Sequence, residues 1–182
     1  MIVEETGLPG VLIVRAPVHA DPRGFFTEVF HAGRFAEIGL PTSFVQDNHS
    51  HSRRHVLRGL HFQLEQPQGK LVRLVTGAIF DVAVDLRRSS PDFGRWTGVT
   101  LEAGDGRQLW IPAGFAHGFL VLSDVADVTY KCTTVYHAPS NHAIRWNDPE
   151  LGIRWPLADG GQPTRSPADA TASPFSSRIW FE

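Results

Sequence analysis

Residues 57–72, LRGLHFQLEQPQGKLV, put an imidazole and an ammonium into one short run, at His61 and Lys70. An imidazole is a base near neutral pH. A lysine ammonium stabilises an anion and repels a divalent cation. Together these groups suit removal of a carbon-bound proton beside a developing negative charge. Taken singly, His61 reads more readily as a structural histidine, and Lys70 as a surface lysine.

The spacing resembles the first motif of the cupin β-barrels, G-x5-H-x-H-x3,4-E-x6-G. His61 is followed by Gln63 where that motif has a second His. Lys70 stands before Gly77 where the motif places a metal-binding Glu. The second cupin motif, G-x5-P-x-G-x2-H-x3-N, is matched by Gly106, Pro112, Gly114 and His117, with Val121 at its last position. The turn glycines and one His per motif remain, and two metal-ligand positions are lost. That weakens a metal-dependent oxygenase or isomerase reading, and no metal is expected.

The elements that must carry these groups are mostly strands. Val11–Val14, Phe25–Phe30, Leu71–Val75, Thr97–Leu101, Leu109–Ile111 and Phe119–Leu122 read as short strands between Gly and Pro turns. Ala78–Leu86 alternates: Phe80, Val82, Val84 and Leu86 face one way, Asp81, Ala83 and Asp85 the other. Asp81 and Asp85 then point into the barrel, to orient Lys70 or His61 or to make structural pairs. Val125–Tyr136 reads as one long strand. His31–Ile38 is the best helix candidate, closed by Gly39 and Pro41. The pattern predicts an all-β fold, a cupin-like jelly-roll barrel or sandwich with a few short helices. It predicts a single domain over residues 1–182. Residues 158–182, rich in Ala, Asp, Ser and Pro, form either a loose tail or a cover over a site.

Composition sets outer bounds. The chain has 182 residues, 42% hydrophobic and 20% charged, ordinary for a globular domain. A formal net charge of −2 gives no global field for nucleic acid or acidic membranes. Cys132 is the one cysteine, so neither an internal disulfide nor a cysteine cluster is available. No apolar run approaches the ~20 residues that span a bilayer. The acidic start MIVEETGLPG does not read as a signal peptide, and a cytoplasmic location is expected.

Ordered blocks from about Gly7 to Asp169 resemble the dTDP-4-dehydrorhamnose 3,5-epimerases. They are DPRGFFTE from Asp21, QDNHS from Gln46, LRGLHFQ, QGKLV, DVAVDLRRSSPDFGRW, WIPAGFAHGF and IRWNDPELGIRWP. The resemblance implies a metal-free, cofactor-free cupin-like isomerase acting as a homodimer with exchanged N-terminal strands. It implies inversion at C3 and C5 of a dTDP-linked 4-keto-6-deoxy sugar. It further implies His61 as base, Asp169 as its carboxylate partner, Lys70 as enolate stabiliser and Tyr130 as general acid. Arg23 and Arg58 are matched to the diphosphate, Phe26 and Tyr136 to the base, and Glu28, Gln46, Asn48 and His117 to nucleotide and sugar. Asn141 stands where relatives often have Glu, and Ala168 where they often have Lys or Arg, both near nucleotide contacts. Relatives acting at C3 or C5 alone share these residues, and a non-catalytic nucleotide-sugar binder is the alternative from another class.

Overall fold

The computed structural model describes residues 1–157, 161–177, 180 and 181. Among the described residues, thirteen strands form two large sheets and a hairpin. They are β1 (Ile2–Glu5), β2 (Leu12–Arg15), β3 (Val18–Asp21), β4 (Gly24–Thr27), β5 (Gln46–Arg53), β6 (Leu57–Gln63), β7 (Lys70–Thr76), β8 (Ala78–Asp85), β9 (Trp96–Glu102), β10 (Arg107–Ile111), β11 (Phe115–Val121), β12 (Val125–Cys132) and β13 (Asn141–Ala143). Two short helices are added, α1 (Ala32–Glu37) and α2 (Pro167–Ala170). The larger sheet runs β1-β2-β10-β7-β12-β5, the other β13-β6-β11-β8-β9, and β3-β4 stands apart. This is the cupin-like sandwich the sequence predicts. Among the described residues, no helix is long and apolar enough to cross a membrane.

Strand β8 explains how the layers stack. Ile79 and Ala83 join a core with Val72, Leu74, Leu109 and Val128 of the facing sheet. Val82 and Val84, on the opposite face, pack with Ile144, Leu151 and Phe175 from the chain beyond β13. The period-two alternation is therefore right, and both of its faces are buried. Asp81 and Asp85 are fully buried on the side facing the other sheet. Asp85 is taken up by Arg87 and Ser90, a structural pairing. Residues 161–177 are not a loose tail. Thr164 bridges to Val56 and Ser173 to Ile144, tying this segment to the β6 side of the sandwich. Residues 158–160, 178, 179 and 182 of the predicted C-terminal segment lie outside the described residues.

One close approach sets the geometry around β6. A Cβ on Gly118 would stand 2.6 Å from the Arg58 carbonyl oxygen, and one on Gly59 would stand 2.6 Å from the Gly118 Cα. Only glycines let the two backbones come this near. The β6–β11 register shifts between His117 and Phe119, leaving His117 directly opposite His61. β11 starts at Phe115 rather than Phe119, and two other strands end well before their expected limits. β12 stops at Cys132 rather than Tyr136, because its partner β7 begins at Lys70 opposite Cys132. β4 ends at Thr27 rather than Phe30, where its pairing with Val18 of β3 ends.

Candidate active site

His61, Lys70, Tyr130 and Asp169 line one cavity of about 430 Å³, together with Arg58 and His117. Four strands and a helix supply them. β6 brings Arg58 and His61, β7 brings Lys70, β11 brings His117, β12 brings Tyr130 and α2 brings Asp169. β7, β11 and β12 each send one of these side chains into the shared interior, and β6, whose pairing with β11 shifts register, sends two.

His61 Nε2 lies 2.5 Å from Asp169 Oδ1. The carboxylate is 4% exposed and the imidazole 36%. With Nε2–H donated to Asp169, Nδ1 is left as the basic nitrogen. Local sequence places the carboxylate. Ser166 caps α2 and accepts the Asp169 N–H at 3.1 Å, and Pro167 occupies the first helical turn. Burial alone would raise the Asp169 pKa. Hydrogen bonds from His61, Ser166 and the Gly59 N–H outweigh it, holding the carboxyl below its ordinary range.

A second His–Asp pair lies deeper. His117 Nε2 is 2.6 Å from Asp81 Oδ1, with Asp81 fully buried. The other oxygen, Asp81 Oδ2, is buried without a hydrogen-bond partner. Loss of hydration lowers the Lys70 pKa, while the charges of Cys132 and Asp81 pull it upward. Burial raises the Tyr130 pKa, Cys132 adds to that, and Arg58 opposes it. The phenol is accordingly a proton donor at neutral pH. An imidazole held by a carboxylate, a partly buried lysine and a protonated phenol are groups that can serve enolisation beside a carbonyl.

The other predicted residues stand elsewhere. Arg23 pairs with Asp21 at the tip of the β3–β4 hairpin, and Phe26 on the same hairpin is 70% exposed. Glu28 pairs with Arg34 at 2.7 Å. Gln46 donates to Asn48 Oδ1 and accepts the Tyr136 N–H, while Asn48 contacts the Cys132 thiol. Asn48 lines a second cavity of about 340 Å³ with Leu71, Arg73 and Lys131, and Tyr130 borders both cavities. Tyr136 is exposed, and Asn141 sits opposite Gln63 at the start of β13. Sequence reasoning missed Ser50, Thr164, Arg165 and Ser166 as cavity residues. Ser50 lay inside the QDNHS block, and the Ser-Pro step at Ser166 was a readable helix start.

Comparison with known proteins gives the family. The family model for dTDP-4-dehydrorhamnose 3,5-epimerase matches residues 5–177. The Salmonella typhimurium dTDP-4-dehydrorhamnose 3,5-epimerase is 53% identical over 174 residues, covering 94% of each chain. The Neisseria gonorrhoeae enzyme of the same name is 53% identical over 169 residues, 93% of this chain, and this chain spans 51% of its length. The Legionella pneumophila dTDP-6-deoxy-D-glucose-3,5-epimerase, solved with dTDP-4-keto-L-rhamnose, superposes with a TM-score of 0.92 at 48% identity, covering 97% of this chain and 93% of that one. A 3'-monoepimerase from Streptomyces bikiniensis, solved with dTDP-quinovose, gives 0.87 at 34% identity, covering 94% and 86%. By sequence and by fold, this chain is a member of the dTDP-4-dehydrorhamnose 3,5-epimerase family, whose members are isomerases.

Proposed function

We propose that the chain epimerises C3 and C5 of dTDP-4-dehydro-6-deoxyglucose to give dTDP-4-dehydrorhamnose. The observation that carries this reading is the convergence of His61–Asp169, Lys70 and Tyr130 on one cavity. The 4-keto group acidifies the protons on the neighbouring carbons. His61 takes one through Nδ1, and Asp169 supports the resulting imidazolium. Negative charge moves to the carbonyl oxygen, where Lys70 stabilises it. Tyr130 returns a proton to the carbon from the opposite face, and solvent restores the phenol. His117, oriented by Asp81, contacts the sugar, and Arg58 binds the diphosphate.

The protein acts as a homodimer. Arg23 and Phe26 lie on an exposed hairpin, away from the cavity of their own chain. A second copy that lends this hairpin brings Arg23 to the diphosphate and Phe26 to the base. Glu28, Gln46, Asn48, Tyr136 and Asn141 then complete the nucleotide side. The chain is placed in the cytoplasm as one domain. A single-carbon epimerase is the second reading, favoured by the likeness to the Streptomyces monoepimerase. Deuterium incorporation from solvent separates them: exchange at C3 and C5 supports the first, and exchange at one carbon supports the second.

A further inference from the structure

Arg165 is a cation of the cavity with no part in the chemistry above. Backbone pairing fixes its place. The Thr164 N–H donates to the His55 carbonyl at 2.8 Å, and the Thr164 carbonyl accepts the Leu57 N–H at 2.9 Å. Residue 165 is thereby held beside Leu57 and Arg58 on the same wall. The Arg165 guanidinium lies 5.6 Å from the centroid of the Trp146 ring. That ring is a fixed platform, 6% exposed, and the Trp146 carbonyl accepts the Trp155 indole N–H.

Despite this support, Arg165 Nε is buried without a hydrogen-bond partner. A buried donor left unpaired is unfavourable, and it persists where a ligand supplies the acceptor. Among the described residues, no carboxylate forms an ion pair with Arg165 or Arg58. Arg58 gives Nε to Ser52 Oγ and Nη2 to the His51 carbonyl, both neutral acceptors. Ser50 Oγ, on the same cavity, is also buried and unpartnered. Two guanidiniums without counter-ions among the described residues and an unpaired hydroxyl, all lining one cavity, make it a site for an anion. Arg165 is the one cation in residues 161–177, the segment that also carries Asp169.

We propose that Arg165 works with Arg58 to grip the diphosphate of the nucleotide sugar, and so sets substrate affinity from the segment that delivers Asp169. This rests on the nucleotide-sugar reading above. The diphosphate keeps its charge while protons move at the sugar ring. Its grip is therefore equal in ground and transition states, and its loss appears in KM rather than kcat.

The test compares wild type with Arg165→Met, which keeps an unbranched stem over Trp146, and with Arg165→Lys, which keeps the charge without the planar fork. Calorimetric titration with dTDP is paired with steady-state kinetics on the 4-keto sugar. Arg165→Met is expected to weaken dTDP binding about tenfold or more, raise KM alike, and leave kcat within about twofold. Its binding is also expected to depend less on salt, and Arg165→Lys to fall between the two. Unchanged dTDP affinity in Arg165→Met overturns the inference and leaves Arg165 as a packing partner of Trp146. So does a loss confined to kcat, or melting temperatures that fall in both variants with no change in the salt dependence of dTDP binding. If wild type binds dTDP and the methionine variant matches it, the inference alone fails. If wild type does not bind dTDP, the nucleotide-sugar reading fails with it.

Discussion

His61 and Asp169 are 108 residues apart in sequence and 2.5 Å apart in space. The contact joins a strand of the sandwich to a helical turn in the C-terminal segment. In the proposed reaction it leaves one imidazole nitrogen as base and gives the protonated ring a counter-charge. Asp169→Asn keeps the shape and removes the charge. Its kcat should fall by about 10²–10⁴, the range expected when a general base loses its support. Steady-state assays with matched protein stability check this. The variant also has a stability signature. The Asp169 carboxyl is held below its ordinary range, so its contribution is present above the unfolded value of about 3.9 and is lost as pH falls through the folded value. The melting-temperature gap between wild type and Asp169→Asn should be open at pH 7 and close in acid.

Lys70 presents the opposite sign. Loss of hydration lowers its pKa, so charging it is unfavourable to the fold at all pH values below the unfolded value of about 10.4. Lys70→Met should be as stable as wild type at pH 7, or more so by about 1 kcal/mol, while activity collapses. Chemical denaturation and enzyme assay on the same sample read both. The alkaline limb of the wild-type pH profile should lie below an ordinary lysine pKa. Asp81→Asn removes a charge that raises the Lys70 pKa and should move that limb to lower pH.

Tyr130 is predicted to act after proton abstraction. Burial keeps its phenol protonated, and the proposed first step needs only His61 and Lys70. Tyr130→Phe should still exchange substrate protons with solvent while accumulating little inverted product. Proton NMR in deuterated buffer distinguishes the two. Loss of exchange together with inversion would remove Tyr130 from the role of acid.

Gly118 carries a structural prediction. A methyl group there meets the Arg58 carbonyl at 2.6 Å, and backbone rather than a flexible side chain must give way. Gly118→Ala should lose about 2–3 kcal/mol of stability, in the upper range for overpacking. It should also lower activity, because the same contact sets His117 opposite His61.

The site was legible where chemistry and spacing coincided. His61 and Lys70 stood out because cupin motifs place metal ligands near those positions and this chain does not. β8 was legible because its apolar residues alternate over its full length. β5 was not, although its burial also alternates: the partly buried positions are Gln46, Asn48 and Ser50, so hydrophobicity carries no period. Asp169 could be assigned only by resemblance, since nothing local links an Asp in a Pro- and Ser-rich stretch to a strand so far away. Arg165 and Ser50 escaped notice because their significance lies in partners they lack, which only coordinates can reveal.

The most direct measurement is NMR of the dTDP-4-keto-6-deoxy sugar in deuterated water with the wild-type protein and with His61→Ala. The account predicts deuterium at both C3 and C5, formation of the inverted product, and no incorporation by His61→Ala above the protein-free rate. Incorporation by His61→Ala at the wild-type rate, or tight binding by wild type with no incorporation at either carbon, would contradict it.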